Sequence, residues 1–578
     1  MKALLVHPED DLPRTCGSGD LVIDLGRAPK SWYQRWKQST EGEVFSLFDF
    51  THEIEDLYLI RRLVQLGSNQ LIDSGSIDWW NILSLELVPD LLRLSPAMRL
   101  AQRLGPRCEL EATRGDMIAQ AIAHLCGKEL RVAEGTAGNW RRKVGRLRQA
   151  AFSLDAHQLL QVIEDKLGLN GLWQDRVRRK ESDEPVILLP SAYHNASRTA
   201  VDFAAQLPER KFLLVYTRTS GKLADLPANV GAQSLAMISP ARKHDDVPQL
   251  LKRWQSLRNY LVRQSKEWEV ADAAGILDKM PSLLRWGTSY RNAWQQIFDN
   301  HNIAACLSTD DSNPPTRIPL DLAHAAGLPT VACHHGALDY FMAIKTVPLD
   351  ACIAKSQLER DYMRALCQVP ENKIAYGSGK AHGFETGDTV PIERRPWLVF
   401  FSEPYSAWGW RSDSIYSELL PQLHLLAKKL DLQLILKIHP FESVREHRRR
   451  LMRFLPQDAN HVIIIPGPPT PELWQNTRLA LTVQSTTALQ CAELGIPVFF
   501  CGWLRDTHSG YQQQYVKFDI GEQLNAIEDI DEIPAKLNAH GRHTRNNPVW
   551  ALLTAQELDE LLLPAQVTHG EQFAMTHP

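Results

Sequence analysis

The stretch LQLILKIHPFESVREHRRRLMRFLPQDANHVIII, residues 432–465, decides the fold. Leu432 to Ile438 is a run of apolar residues of strand length, Ser443 to Phe454 carries its apolar residues at helical spacing, and Val462 to Ile465 is a strand again. A strand, a helix and a strand in succession predict a parallel sheet with a right-handed crossover. The same alternation extends outward on both sides. Before the stretch come the strand Trp397 to Phe401 and the helix Ser414 to Leu430; after it come Leu479 to Val483, the helix Thr487 to Leu494 and the strand Pro497 to Phe500. An earlier series runs from the strand Pro185 to Pro190 through the polar loop Ser191 to Ser197 and a helix ending at Ala204. It continues through the strands Phe212 to Tyr216 and Ala304 to Ser308, the helix Ile318 to Ala326 and the strand Thr330 to Cys333.

The predicted fold class is therefore α/β, with two tandem Rossmann-like domains at 184–390 and 391–545. In front of them, 1–135 reads as an additional small α/β domain, with strands Ala3 to Val6 and Leu21 to Leu25 and helices Ile54 to Leu66 and Asp116 to Cys126. Residues 136–183 read as a basic helical connector and 546–578 as a C-terminal helix and tail. A chain of 578 residues exceeds a single hydrophobic core, so several domains are expected.

Charge excludes some functions. With 64 Lys and Arg against 68 Asp and Glu, the chain has no global attraction to nucleic acid. No apolar run reaches the length of a membrane span, and the short apolar run at the N-terminus reads as a first strand rather than a signal-peptide core. Nine scattered cysteines without a Cys-x-x-Cys pair fit a reduced, cytoplasmic protein.

The chemistry-bearing residues fall in strand-to-helix loops, where open α/β sheets bind ligands. In Lys437-Ile438-His439-Pro440-Phe441-Glu442, a buried strand gives way to a loop. His439 there can donate a hydrogen bond, or a proton, to a departing phosphate, since a histidine titrates near working pH, and Pro440 stops the strand. In Val483-Gln484-Ser485-Thr486-Thr487, small hydroxyl residues open a helix whose N–H groups suit a phosphate. Glu493 follows Ser485 by about two helical turns, and Glu403 occupies the first strand-end loop of this domain.

A strand ending in His-Pro, followed by a strand ending in Ser485-Thr486 and then Glu493-Leu494-Gly495-Ile496-Pro497-Val498, resembles the donor domain of bacterial GT-B glycosyltransferases. Within that group it is most similar to the polysialyltransferase and Kdo-transferase types of capsule and surface-polysaccharide biosynthesis. The resemblance covers about residues 395 to 505. It implies a nucleotide-sugar donor, CMP-linked in those relatives, with His439 and Ser485-Thr486 contacting the nucleotide phosphate; Lys437, Pro440, Glu493 and Glu403 are further donor-side candidates from their places in this domain. The acidic-acidic-Gly motif of polysialyltransferases has no match here. The acidic and aromatic residues that CDP-glycerol-type polymerases carry near their Ser cluster are also missing.

An inverting transfer needs a base from the facing domain. Two clusters qualify: Ser308-Thr309-Asp310-Asp311-Ser312-Asn313, and Cys333-His334-His335-Gly336. Asp310, Asp311 and His335 are the candidate catalytic groups beside His439; His334, Gly336 and His194 are candidates for holding a glycan or lipid-linked acceptor. Adjacent histidines diverge on an extended strand, and no further Asp or His stands at ligand spacing along the sequence, so the expectation is no metal and no cofactor. The basic stretches Asn139 to Phe152 and Arg445 to Phe454 leave open a peripheral contact with the inner face of a membrane. A CDP-glycerol-type phosphotransferase, a sugar-nucleotide epimerase and a non-catalytic nucleotide- or glycan-binding protein stand as alternatives, because such domains host many functions.

Overall fold

The computed structural model describes residues 2–7, 19–26, 42–106, 108–132, 184–218, 221–235, 246–336, 338, 340–344, 349–379, 391–403, 405, 412–439, 442–504, 515–540 and 552–563. The expected connector at 136–183, the stretch Asn139 to Phe152 and Pro440 lie outside these residues.

Three parallel sheets organise the chain. The first contains β1 (Lys2–Val6), β2 (Leu21–Asp24), β3 (Glu43–Ser46), β4 (Glu109–Ala112) and β5 (Arg131–Val132) in the order β3-β2-β1-β4-β5. The second contains β6 (Val186–Ser191), β7 (Lys211–Tyr216), β8 (Val230–Ser234), β9 (Ile303–Ser308), β10 (Thr330–Cys333), β11 (Ala351–Ala354) and β12 (Ile374–Tyr376), ordered β12-β11-β10-β9-β6-β7-β8. The third contains β13 (Trp397–Phe401), β14 (Gln433–Lys437), β15 (Ile463–Ile465), β16 (Thr477–Thr482), β17 (Val498–Cys501) and β18 (Glu522–Leu524), ordered β15-β14-β13-β16-β17-β18. In every sheet the first strand sits inside, two strands build to one side, and the chain then crosses over to build the other side. That is the Rossmann succession with its switch point beside the first strand. The N-terminal domain, expected only as a small α/β unit, shares this winding.

The central strands are apolar on both faces because helices cover both sides. Leu398, Val399, Phe400 and Phe401 on β13 are all buried, as are Leu479, Ala480 and Leu481 on β16.

The N-terminal domain is joined to the middle one by tryptophans. Trp79 and Trp80 open a short helix, Trp79–Leu83, capped by the Asp78 carboxylate. Trp80 stacks on Trp254 at 6.0 Å between ring centroids and meets Trp268 edge-on at 5.6 Å. The indole N–H of Trp80 donates to the carbonyl of Val64 at 2.6 Å and that of Trp268 to Leu63 at 3.3 Å, whereas the buried indole N–H of Trp254 finds no partner among the described residues. Gly67 is required here, since a Cβ would lie 2.4 Å from the Trp80 ring. Arg291 closes the same seam by pairing with Asp73 at 2.8 Å and Asp246 at 2.9 Å.

The helices that receive this seam, Val247–Gln264, Lys266–Ala273 and Met280–Asn300, were not anticipated between the second and third sequence-read strands of the middle series. The C-terminal helix Ala555–Leu562 returns to the middle domain. Leu553, Leu558 and Leu562 join its core, and Arg210 pairs with Asp559 at 2.8 Å.

Candidate functional site

The last domain presents the carboxyl ends of β13, β14 and β16 side by side. Glu403 follows β13 and is buried. It accepts from the backbone N–H of Gln484 at 2.7 Å and stands 3.4 Å from the Thr482 hydroxyl. Burial pushes its carboxyl up to about 8, against an ordinary 4.5. Glu403 thus clamps the loop that carries Ser485 and Thr486. Thr482 closes the clamp, donating to the carbonyl of Phe401 at 3.0 Å while accepting from the N–H of Ser485 at 3.1 Å. The Ser485 hydroxyl accepts from the N–H of Thr487 at 3.3 Å and from its hydroxyl at 3.0 Å, which starts the helix Thr487–Glu493. Thr486 is part-exposed beside it.

At the end of the same helix, burial raises the carboxyl of Glu493 to about 8, and its buried Oε2 finds no hydrogen-bond partner among the described residues. A buried, unsatisfied carboxyl oxygen is costly and suits a ligand hydroxyl.

Following β14, the backbone N–H of His439 donates to the Ser402 hydroxyl and to Glu442, both at 3.1 Å. Glu442 in turn stands 3.1 Å from the buried ring of His447 and receives the Ser402 hydroxyl. Burial lowers the His439 imidazole to about 4, with the charge of Glu442 opposing and those of Lys437 and His335 assisting. His439 is therefore neutral at pH 7 in the unliganded protein. Of the two roles expected from the sequence, a neutral imidazole suits the hydrogen-bond donor rather than the proton donor. The expectation for Lys437 also changes: its ammonium donates to the carbonyls of Ile438, at 3.0 Å, and Gly467, so it staples two loops.

The middle domain presents the ends of β6, β9, β10 and β11. Asp310 and Asp311, read from the sequence as equivalents, have different partners. Asp310 is buried and accepts from the Ser312 hydroxyl at 2.7 Å and from the Asn313 amide. The hydroxyl of Tyr193 also bonds to Asp310, and burial with this neighbouring charge raises the phenol well above its ordinary range. The charge of Asp311 bears, with those of Asp321 and Asp78, on the buried guanidinium of Arg317.

The ring Nδ1 of His335 lies 3.1 Å from the carbonyl of Thr309, and Tyr193 packs edge-on against the ring at 4.7 Å. A donating Nδ1–H leaves Nε2 as the basic atom. Burial lowers the His335 pKa, the charge of Asp310 raises it, and the charges of Lys355 and Arg198 lower it. His334 is buried next to it, with ring centroids 4.8 Å apart. A Cβ on Gly336 would meet His334 at an ordinary 3.7 Å, so the protein itself does not demand glycine there. His194 is exposed on the first turn of the helix His194–Ala204, and its neighbour Tyr193 is the residue that reaches Asp310.

No Asp stands at ligand spacing from the histidine pair along the sequence, but the fold brings one beside it. β9 and β10 are paired strands, and ligand atoms of Asp310, His334 and His335 lie within 4.8 Å of one another. Sequence reasoning pointed to the polar loop that carries Tyr193 but not to that residue's bond to Asp310, and it assigned no role to Ser402, Glu442 and Lys355. Each stands within a few residues of a strand end, the one signal that could have drawn attention to them. Lys355 directly follows β11 and pairs with Glu359 at 3.3 Å.

No family model matches the chain, and no curated protein matches it. Among solved structures it is similar to an S. aureus MnaA–UDP complex, at 9% identity and a TM-score of 0.41, covering 65% of this chain and 94% of that one. It is similar to the UDP-GlcNAc 2-epimerase from Neisseria meningitidis bound to UDP-GlcNAc, at 12% identity and a TM-score of 0.41, covering 66% and 99%. A third similarity is to the wall teichoic acid polymerase TagF, at 11% identity and a TM-score of 0.36, covering 71% and 92%. The strand orders make this an α/β protein with two tandem Rossmann-like domains, preceded by a third domain of the same winding.

Proposed function

We propose that the chain is an inverting glycosyltransferase, with protein side chains as its acid and base, that moves a sugar from a nucleotide, a CMP-sugar on the motif resemblance, to a glycan or lipid-linked acceptor. The observation that carries this reading is the gathering of Asp310, His334 and His335 at the strand ends of the middle domain, with His439 of the last domain near enough for the His335 charge to bear on it. It sets a hydrogen-bond donor from one strand-end cluster against a base from the other. Ser485 and Thr486, with the helix they open, take the nucleotide phosphate; Glu493 takes a ribose hydroxyl; Glu403 and Lys437 hold the loops in place.

In the transfer, the acceptor oxygen attacks the anomeric carbon and the bond from that carbon to the phosphate oxygen breaks. The acceptor proton passes to Nε2 of His335, whose imidazolium Asp310 favours. The departing phosphate takes the hydrogen bond of His439, and its charge raises the His439 pKa from about 4, strengthening that bond as charge develops. His334, Gly336 and the exposed His194 border the acceptor side.

The helix Val444–Phe454, which starts just beyond the His439 loop, turns Arg445, Arg448, Arg449, Met452 and Arg453 to a groove of about 490 Å³. A basic face with Met452 and Val444 exposed supports contact with an anionic lipid surface near the cleft.

Saturation-transfer NMR on the full chain against CMP-, CDP-, UDP- and GDP-sugars tests the donor, and product analysis separates transfer from epimerisation and from glycerol-phosphate transfer. Binding to none of the four classes would sink the reading.

A further inference from the structure

We infer that Asp310, His334 and His335 form a site for a divalent transition-metal ion of the zinc or cobalt kind. Two features of the tertiary structure make this set. After Cys333 the chain leaves β10 and turns, so the adjacent imidazoles do not diverge as they would on a strand; their planes meet at 45° with centroids 4.8 Å apart. The pairing of β9 with β10 then brings the loop after Ser308 alongside, and with it the Asp310 carboxylate.

The ligand atoms lie within 4.8 Å of one another. Ligands about 2.1 Å from a tetrahedral ion stand about 3.4 Å apart, a closure that small side-chain rotations supply. The surroundings hold the ligands as metal ligands are usually held. The Nδ1 of His335 faces the Thr309 carbonyl at 3.1 Å, which directs Nε2 to the ion, and the Asp310 carboxylate is oriented by the Ser312 hydroxyl at 2.7 Å and by Asn313. Two imidazoles and one carboxylate select a borderline ion over calcium or magnesium, which prefer oxygen alone. Of the cations whose charge reaches His335, Lys355 is paired with Glu359 at 3.3 Å and Arg198 is exposed, so neither opposes a second positive charge at full strength.

Three protein ligands leave positions open for water or a substrate hydroxyl. Bound there, the ion would lower the pKa of the acceptor hydroxyl, and its proton would leave to solvent rather than to Nε2 of His335. This catalytic use rests on the proposed transfer; the binding itself does not.

The test uses the full chain, stripped by chelator and dialysed, then titrated with zinc by calorimetry and with cobalt by visible absorption. The expected result is one equivalent bound at micromolar affinity or tighter, with ligand-field bands of nitrogen and oxygen ligation. Asp310→Asn, His334→Gln and His335→Gln should each weaken it at least about tenfold, while His439→Ala retains the ion and loses turnover. Far-UV circular dichroism checks each variant, and the wild-type cobalt spectrum reads the ligands even if one variant unfolds. No stoichiometric binding by the wild type, or binding unchanged in all three variants, overturns the site. A chain that binds metal but transfers from no nucleotide sugar keeps the site and loses the donor reading. Full turnover with no metal bound overturns the catalytic use of the ion and keeps the donor reading.

Discussion

The strand-end loops of the last and middle domains occupy equivalent places on sheets of the same winding, yet they are built differently. In the last domain the ionisable groups are turned inward: Glu403 onto the backbone of Gln484, Lys437 onto two carbonyls, Glu442 onto Ser402 and the N–H of His439. What remains toward a ligand is hydroxyls, N–H groups, one neutral imidazole and one raised carboxyl. In the middle domain Tyr193, Asp310, His334 and His335 touch one another. The difference teaches that one edge is a fixed, nearly uncharged cradle, while the other concentrates groups that can take a proton or hold an ion.

The largest expected effect tests the reactive edge. His335→Ala should lower kcat by about a hundredfold to ten-thousandfold, the scale of a lost base, and leave donor affinity unchanged. Steady-state kinetics with donor binding measured separately checks this; a loss of donor affinity instead would erase the contrast between the edges. His439→Ala should slow the chemical step by roughly a hundredfold with little change in stability, because its side chain acts where charge develops on the leaving phosphate. Single-turnover rates read the step directly, and near-normal turnover in a folded variant would make His439 structural.

A smaller effect belongs to the cradle. Ser485→Ala should weaken donor binding by about tenfold with kcat nearly kept, since a ground-state phosphate contact serves substrate and transition state alike. A kcat loss with donor affinity intact would move Ser485 to the reactive side.

The smallest effect is on stability. The Glu403 carboxyl is raised from 4.5 to about 8 in the folded chain, so the folded state keeps a proton that the unfolded state gives up. Its contribution is fully present below about 4.5 and is lost as pH rises toward about 8. Urea unfolding between pH 5 and 8 should show a shallower decline for Glu403→Gln than for the wild type. Parallel declines would mean that Glu403 does not hold its proton.

How far the site was legible follows from the same contrast. His439, Ser485 and Glu493 could be found because each stands at a fixed place in a strand-loop-helix unit, and that unit is visible as a change of apolar period from two to about 3.6. The roles of Glu403 and Lys437 could not, because a side chain at a strand end can turn either to ligand or to a neighbouring backbone group, and only the paired loop decides. The sequence by itself determined the α/β class, the two later Rossmann-like units and the strand ends where chemistry gathers, since apolar periodicity is a local property of the chain. Tertiary structure alone decided that the tryptophans bind the first domain to the second, that the last helix returns to the middle domain, and that Asp310 reaches the histidine pair. Strands that are neighbours in a parallel sheet are separated along the chain by a whole crossover, so no spacing rule read along the sequence can bring their loops together.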